Sequence, residues 1–298
     1  MLGAQLALNA VALGAAYALV AIGFVLVLNA TTAVNFAHGE SVVAGGFAAV
    51  ALTGALAMLL PAGNAIPGIV LLPGVLLLTA LLGLAIAALA YLPIRNRPPV
   101  SVFVTTIAFG IIVTNGLNAA FGAAPRAAPA LLGTGTIEFL GVTASRQSLA
   151  IIATAVVLIG ALAFVLQRTQ LGRQFRACAQ DPEMARALGI RLTRITLLAF
   201  ALGTAFAGAA GLLLAHQFFV TPSDGAGLIL KAYIAVVIGG WGSLRGATIG
   251  AMLIAFFEVG VASISSQPLA EGLLYVAVLL VLLVRPDGIF GEPQRLRA

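Results

Sequence analysis

Nine apolar stretches follow one another along this chain, most of them long enough to cross a lipid bilayer: Leu6–Leu28, Ser41–Leu60, Ile69–Leu92, Val100–Phe121, Ser148–Leu166, Ile195–Leu214, Leu228–Gly240, Ala247–Ile264 and Gly272–Val284. About 20 apolar residues carry a helix across the hydrocarbon core. Hydrophobic residues make up 61% of the sequence and charged residues 8%, against roughly 25% charged in a soluble domain. A water-soluble globule built from this composition has almost nothing to cover its surface with. The expectation is an all-α, polytopic membrane helix bundle of eight or nine spans. Its first apolar run lacks a positive n-region and reads as a retained span rather than a cleaved signal peptide. Proline and glycine mark seams at Pro61–Gly68, Pro93–Pro99 and Pro286–Pro293.

Two places resist a simple succession of spans. Leu228–Ile264 is too long for one straight traverse and is broken by Gly239, Gly240, Trp241, Gly242 and Ser243. Its first piece is short, which leaves a discontinuous helix open there. Ala30–Glu40 is polar and carries no basic residue, so it reads either as a short cytoplasmic turn or as a broken, re-entrant element.

The longest polar interruption is Gln167–Arg194, with six of the fifteen Lys and Arg residues. Within it Asp181 suits an N-cap, Pro182 the first helical position, Glu183 the positive end of the helix dipole, and Gly189 the C-terminal stop. Met184 and Leu188 lie four apart on one face with Ala185 beside them, an apolar knob for a partner's groove. Counted over alternate loops, twelve Lys and Arg fall on the side of this segment and two, Arg126 and Arg146, on the other. The positive-inside rule then puts the loop and the C-terminus in the cytoplasm; the N-terminus is outside if Ala30–Glu40 joins two full spans, and inside if that segment re-enters without crossing.

Polar groups inside or beside the spans are few and are the functional candidates. One set is Asn29, Thr31, Thr32, Asn35, His38 and Glu40. Lys231, the only lysine, either snorkels to the outer interface near Asp224 or pairs with a carboxylate such as Glu258. Glu258 sits in the middle of an apolar run and must face protein or water. His38 and His216 are the only histidines and have no metal-ligand spacing, so neither a metal site nor a cofactor is expected. The chain carries no GxxxxGK[ST] phosphate loop, GxSxG, HExxH or CxxC, and no catalytic residue is expected. Its net charge of +6 sits in short loops, where lipid headgroups and topology explain it better than nucleic acid does.

Asn35-Phe36-Ala37-His38-Gly39-Glu40, preceded by GAAYALVAIGFVLVLN, resembles the N-terminal signature of the branched-chain amino-acid ABC importer permeases. Arg176-Ala177 with AQDPEMARALGI resembles that family's cytoplasmic coupling loop. AVVIGGWGSLRGATIGAML resembles its Gly-rich helix break, and LLVRPDGIFGE its closing motif. The likeness runs over nearly the whole chain and is nearer to the first permease of the pair, which carries NFAHGE.

The resemblance implies one transmembrane permease domain over residues 1–298, in a bacterial inner membrane, with a coupling loop at 167–194. It implies a second homologous permease subunit, two cytoplasmic ATP-binding subunits and a periplasmic substrate-binding protein as partners. Asp181, Pro182, Glu183, Met184, Ala185, Leu188 and Gly189 then couple to the ATPase. Asn35, His38, Gly39, Glu40, Lys231 and Glu258 line the translocation path. Branched-chain amino acids are the expected cargo, with urea, short amides or aromatic acids as alternatives. An ion-coupled secondary transporter using Glu40, Glu258 and Lys231 is the alternative of another class. Those three residues lie on different spans, so a weakly selective, mostly apolar channel is expected.

Overall fold

The computed structural model describes residues 2–59, 66–139, 142–285 and 288. The loop around Pro61 and most of the closing motif after Arg285 lie outside them. The described residues form α1 (Leu2–Thr31), α2 (His38–Ala57), α3 (Gly68–Ile86), α4 (Pro99–Phe121), α5 (Arg146–Arg168), α6 (Gln170–Gln180), α7 (Pro182–Ala187), α8 (Leu192–Gln217), α9 (Gly225–Gly239), α10 (Leu244–Ala262) and α11 (Gln267–Val284). A π turn over Ala87–Tyr91 prolongs α3. Among the described residues eight helices are long and apolar enough to span a membrane, and α9 is a shorter apolar helix. Together they account for all nine apolar stretches.

Burial sorts the helices into a centre and a periphery. The apolar windows of α1 and α8 are 94% and 78% buried, whereas those of α4 and α11 are 17% buried. A helix that is apolar on every side belongs in the middle of a bundle, and α1 fits that rule: it packs on α8, α10, α5 and α9. Small residues let the central helices approach closely. A Cβ built on Gly23 would lie 2.3 Å from the Gly203 carbonyl oxygen, and one on Gly45 would lie 2.3 Å from the Gly208 Cα.

Two elements are broken in ways that matter for the site. After α1 the chain reverses over residues 32–37, and His38, the first residue of α2, places its Nε2 3.0 Å from the Val20 carbonyl oxygen. Val20 lies well inside α1, a helix about 45 Å long. So α2 starts beside the interior of α1, not at its end, and Ala30–Glu40 is a broken element rather than a simple turn. The second break is at 240–243. There α9 and α10 fold back on each other as a hairpin, with Gly239 against Gly246 and Ala235 against Gly250. Gly240 and Gly242 take φ values of +105° and +79°, open to glycine at little cost, and the Ser243 hydroxyl caps α10 through the Gly246 N–H at 3.0 Å. This is a helical hairpin of the two separate apolar stretches, and the discontinuous helix left open from the sequence is not formed: the two pieces pair side by side.

Between α4 and α5 a small antiparallel hairpin pairs β1 (Thr136–Phe139) with β2 (Val142–Ser145). The connection leading to it is tied down through Arg126, which exchanges backbone hydrogen bonds with Val220, and through Ala130, which accepts from the Gly68 N–H. The hairpin and α6 are the elements the apolar pattern did not announce.

Candidate functional site

The polar loop between α5 and α8 folds as two consecutive helices. Asp181 caps α7, its Oδ1 accepting from the Glu183 and Met184 N–H groups at 3.0 Å each. Pro182 opens the helix and Glu183 stands in its first turn. Gly189 ends it with φ +83°, and the Ile190 N–H returns to the Ala185 carbonyl. Met184 and Leu188 are 58% and 74% exposed. Ala185 differs from expectation. It is buried in the protein's own core, because its side of the short helix is the one that seats against α6 and α8. It anchors the helix and does not project with its neighbours.

Beside α7 lies a groove of about 770 Å³ lined by Arg95, Arg186, Arg191 and Arg194. Arg95 is held there by the Thr193 hydroxyl at 2.8 Å. Cys178, on α6, is buried, and burial pushes its thiol above the ordinary value.

The turn before α2 is the second candidate. Asn35 Oδ1 accepts from the Ala37 N–H at 3.1 Å, and Phe36 donates its N–H to Thr106 on α4 at 3.3 Å. Gly39 faces the start of α9 so closely that a Cβ there would sit 2.0 Å from the Gly225 carbonyl oxygen. The first turns of α2 and α9 therefore meet beside the interior of α1. Glu40 lies at this junction, in a crevice of about 400 Å³ shared with Phe36, Ile111, Asn115 and Ile229. Asn35 Nδ2, His38 Nδ1 and Glu40 Oε2 are buried without a hydrogen-bond partner among the described residues. An unpaired buried polar group costs about 1–3 kcal/mol, so three within six residues is a concentrated cost. His38 itself is sealed in the core, edge-on to Phe24 and against Gly23. In this conformation it locks α2 to α1 and does not line an open path, a correction to the sequence expectation.

Lys231 and Glu258 are brought together. Lys231 Nζ lies 2.9 Å from Glu258 Oε1 and 3.1 Å from Glu271 Oε1, and it donates to the Tyr17 hydroxyl at 3.1 Å. Tyr17 in turn donates to Glu258 Oε2 at 3.0 Å, and the Gln267 amide donates to Glu258 Oε1. Glu258 is 2% exposed, so it is a buried carboxylate with every oxygen engaged. The lysine thus pairs inward and does not snorkel to Asp224. The expectation of scattered charges is corrected for this pair, since α9 and α10 are the two arms of one hairpin. Glu40 remains apart, in the other crevice.

Sequence reasoning missed Tyr17, Gln267 and Glu271. A lone phenol in the apolar run between Asn9 and Asn29 of α1 was the available signal, because a buried Tyr O–H needs a partner. Gly239, Gly240, Gly242 and Ser243 form the hairpin turn, where Asn29 at the end of α1 donates to the Gly242 carbonyl at 2.9 Å.

A bundle of membrane-length helices with broken polar turns, and with a capped helix presenting apolar side chains beside a basic groove, defines a multi-pass membrane protein. The family described as the branched-chain amino acid transport system permease component matches residues 6–283, and the chain belongs to it. It is a transport subunit and not itself catalytic.

The high-affinity branched-chain amino acid transport system permease protein LivH of Salmonella typhimurium is 33% identical over 300 residues, covering 96% of this chain and 94% of that one. BraD of Pseudomonas aeruginosa, with the same description, is 31% identical over 297 residues, 97% of this chain and 96% of that one. The autoinducer 2 import system permease protein LsrC of Escherichia coli is 35% identical over 140 residues, 46% of this chain and 37% of that one.

Proposed function

We infer that this chain is the first of two homologous permeases in a bacterial inner-membrane importer. It takes a branched-chain amino acid from a periplasmic binding protein and releases it into the cytoplasm, driven by ATP hydrolysis on two partner subunits. The observation that carries this reading is α7: a fully capped helix holding Met184 and Leu188 out of the protein, flanked by arginines, on a chain whose sequence has no phosphate loop of its own. Two exposed apolar side chains on a rigid helix are an anchor for a groove, and the arginines favour an acidic rim around it.

The positive-inside count supports placing α6 and α7, and the C-terminus, in the cytoplasm. The likeness to LivH and BraD over nearly the full chain supports the cargo. The junction of α2 and α9 supports a moving part: unpaired Asn35, His38 and Glu40 atoms become satisfied only if water, the second permease or a second conformation reaches them.

The test is uptake into proteoliposomes holding the whole complex, with binding protein and leucine outside and ATP inside. Leucine should accumulate only when binding protein and ATP are both present. Accumulation driven by a proton or sodium gradient without ATP would instead support the secondary-transporter reading.

A further inference from the structure

A second crevice, about 450 Å³ in volume, opens beside the Tyr17–Lys231–Glu258 network. One wall is apolar, made by Leu13, Val42, Val43, Leu214 and Leu228; the other is charged, made by Lys231, Glu258 and Glu271. We propose that this crevice is a low-affinity reception site that recognises the cargo's ammonium group through Glu271 and its aliphatic side chain through the apolar wall. The cargo is that of the proposed function, and the site adds where and by which group it is gripped.

The bonding pattern decides which charge the crevice accepts. Lys231 donates hydrogen bonds to Tyr17 and Glu258 and is ion-paired with Glu271 at 3.1 Å. Its single positive charge is already matched by two carboxylates, so a ligand's carboxylate meets no unpaired cation here. Glu258 accepts from Lys231 and Gln267 on one oxygen and from Tyr17 on the other, and at 2% exposure it lies out of a ligand's reach. Glu271 gives one oxygen to Lys231, and its side chain remains 37% exposed. One cation against two carboxylates leaves the wall with one net negative charge. Asp224 lines the same crevice, with its oxygens engaged by Thr221, and adds to the negative field.

A cationic group gains from that field, and an anion without an ammonium is repelled by it. Glu271→Gln would remove the excess charge and the ionic partner together. The volume accommodates an amino acid with a short branched side chain and excludes nothing smaller, which suits a site that must release its cargo.

The experiment is saturation-transfer NMR on the intact purified complex without binding protein, at millimolar ligand. The probes are leucine, leucinamide (ammonium without carboxylate) and 4-methylvalerate (carboxylate without ammonium). Leucine and leucinamide should give transfer from the protein and 4-methylvalerate should not. In Glu271→Gln the leucinamide affinity should fall roughly tenfold or more, the worth of one hydrogen bond to a charged group, and Glu271→Asp should restore part of it.

Equal signals from leucinamide and 4-methylvalerate in the wild-type complex would overturn the proposal without any variant having to fold. ATP-driven leucine uptake by that same complex would leave the permease reading standing. Loss of ATP-driven uptake with an intact ammonium preference would sink the permease reading alone.

Discussion

Replacing Lys231 with methionine should destabilise the bundle measurably, because it strands Glu258. The two charges are 2.9 Å apart, with side chains 11% and 3% exposed. At an effective dielectric of about 20 their attraction is about 6 kcal/mol, and removing one partner of a buried pair costs about 3–5 kcal/mol in practice. Tyr17 and Gln267 still donate to Glu258 in the variant, which puts the expected loss near the lower end, about 3 kcal/mol. Glu271 is more than a third exposed and adds little once screened. At about 2–4 °C per kcal/mol for a chain of this order of size, Lys231→Met should melt about 6–12 °C below the wild type. Fluorescence-detected size exclusion after a heat step, in detergent, reads this directly. The double variant Lys231→Met, Glu258→Gln should be clearly more stable than the sum of its singles, since each single breaks the same bond. Strict additivity, or a Lys231→Met melting point within 1 °C or so of wild type, would refute the pairing.

Gly39→Ala must push the start of α2 away from the Gly225 carbonyl, 2.0 Å from the new Cβ. It should cost about 1–3 kcal/mol, whereas Gly54→Ala, with nothing within 4 Å, should be neutral; thermal melts of the two variants compare them. Cys178 should react slowly with thiol reagents even from the cytosolic side, because it is buried and its thiol is held protonated. Leu188→Cys in a Cys178→Ser background should react rapidly with a membrane-impermeant maleimide in inverted vesicles and not in intact cells; labelling in intact cells would overturn the topology.

Much of the fold was legible because lipid imposes a length and an apolarity on each span, and both are local properties of the sequence. The caps of α7 were legible for the same reason: Asp181, Pro182 and Gly189 act on backbone within a few residues of themselves. The pairing of Lys231 with Glu258 was only one of two open readings, since it depends on how the turn at 240–243 lays α9 against α10. The same limit hid the direction of Ala185 and the burial of His38. Both follow from which neighbour a helix meets, and small residues on facing helices signal a close approach without naming the partner. The β1–β2 hairpin is short: Thr136-Ile137-Glu138-Phe139 alternates polar and apolar over only four residues, too few to set a strand apart from a loop.

The most direct measurement of the central claim is co-purification of the ATP-binding subunits with tagged versions of this chain. Wild type should bring down both the second permease and the ATPases. Met184→Asp, Leu188→Asp should keep the second permease and lose the ATPases, because it puts two carboxylates where the exposed apolar pair of α7 stands. Full retention of the ATPases by that variant would contradict the assignment of α7 as the point where ATP hydrolysis reaches the membrane.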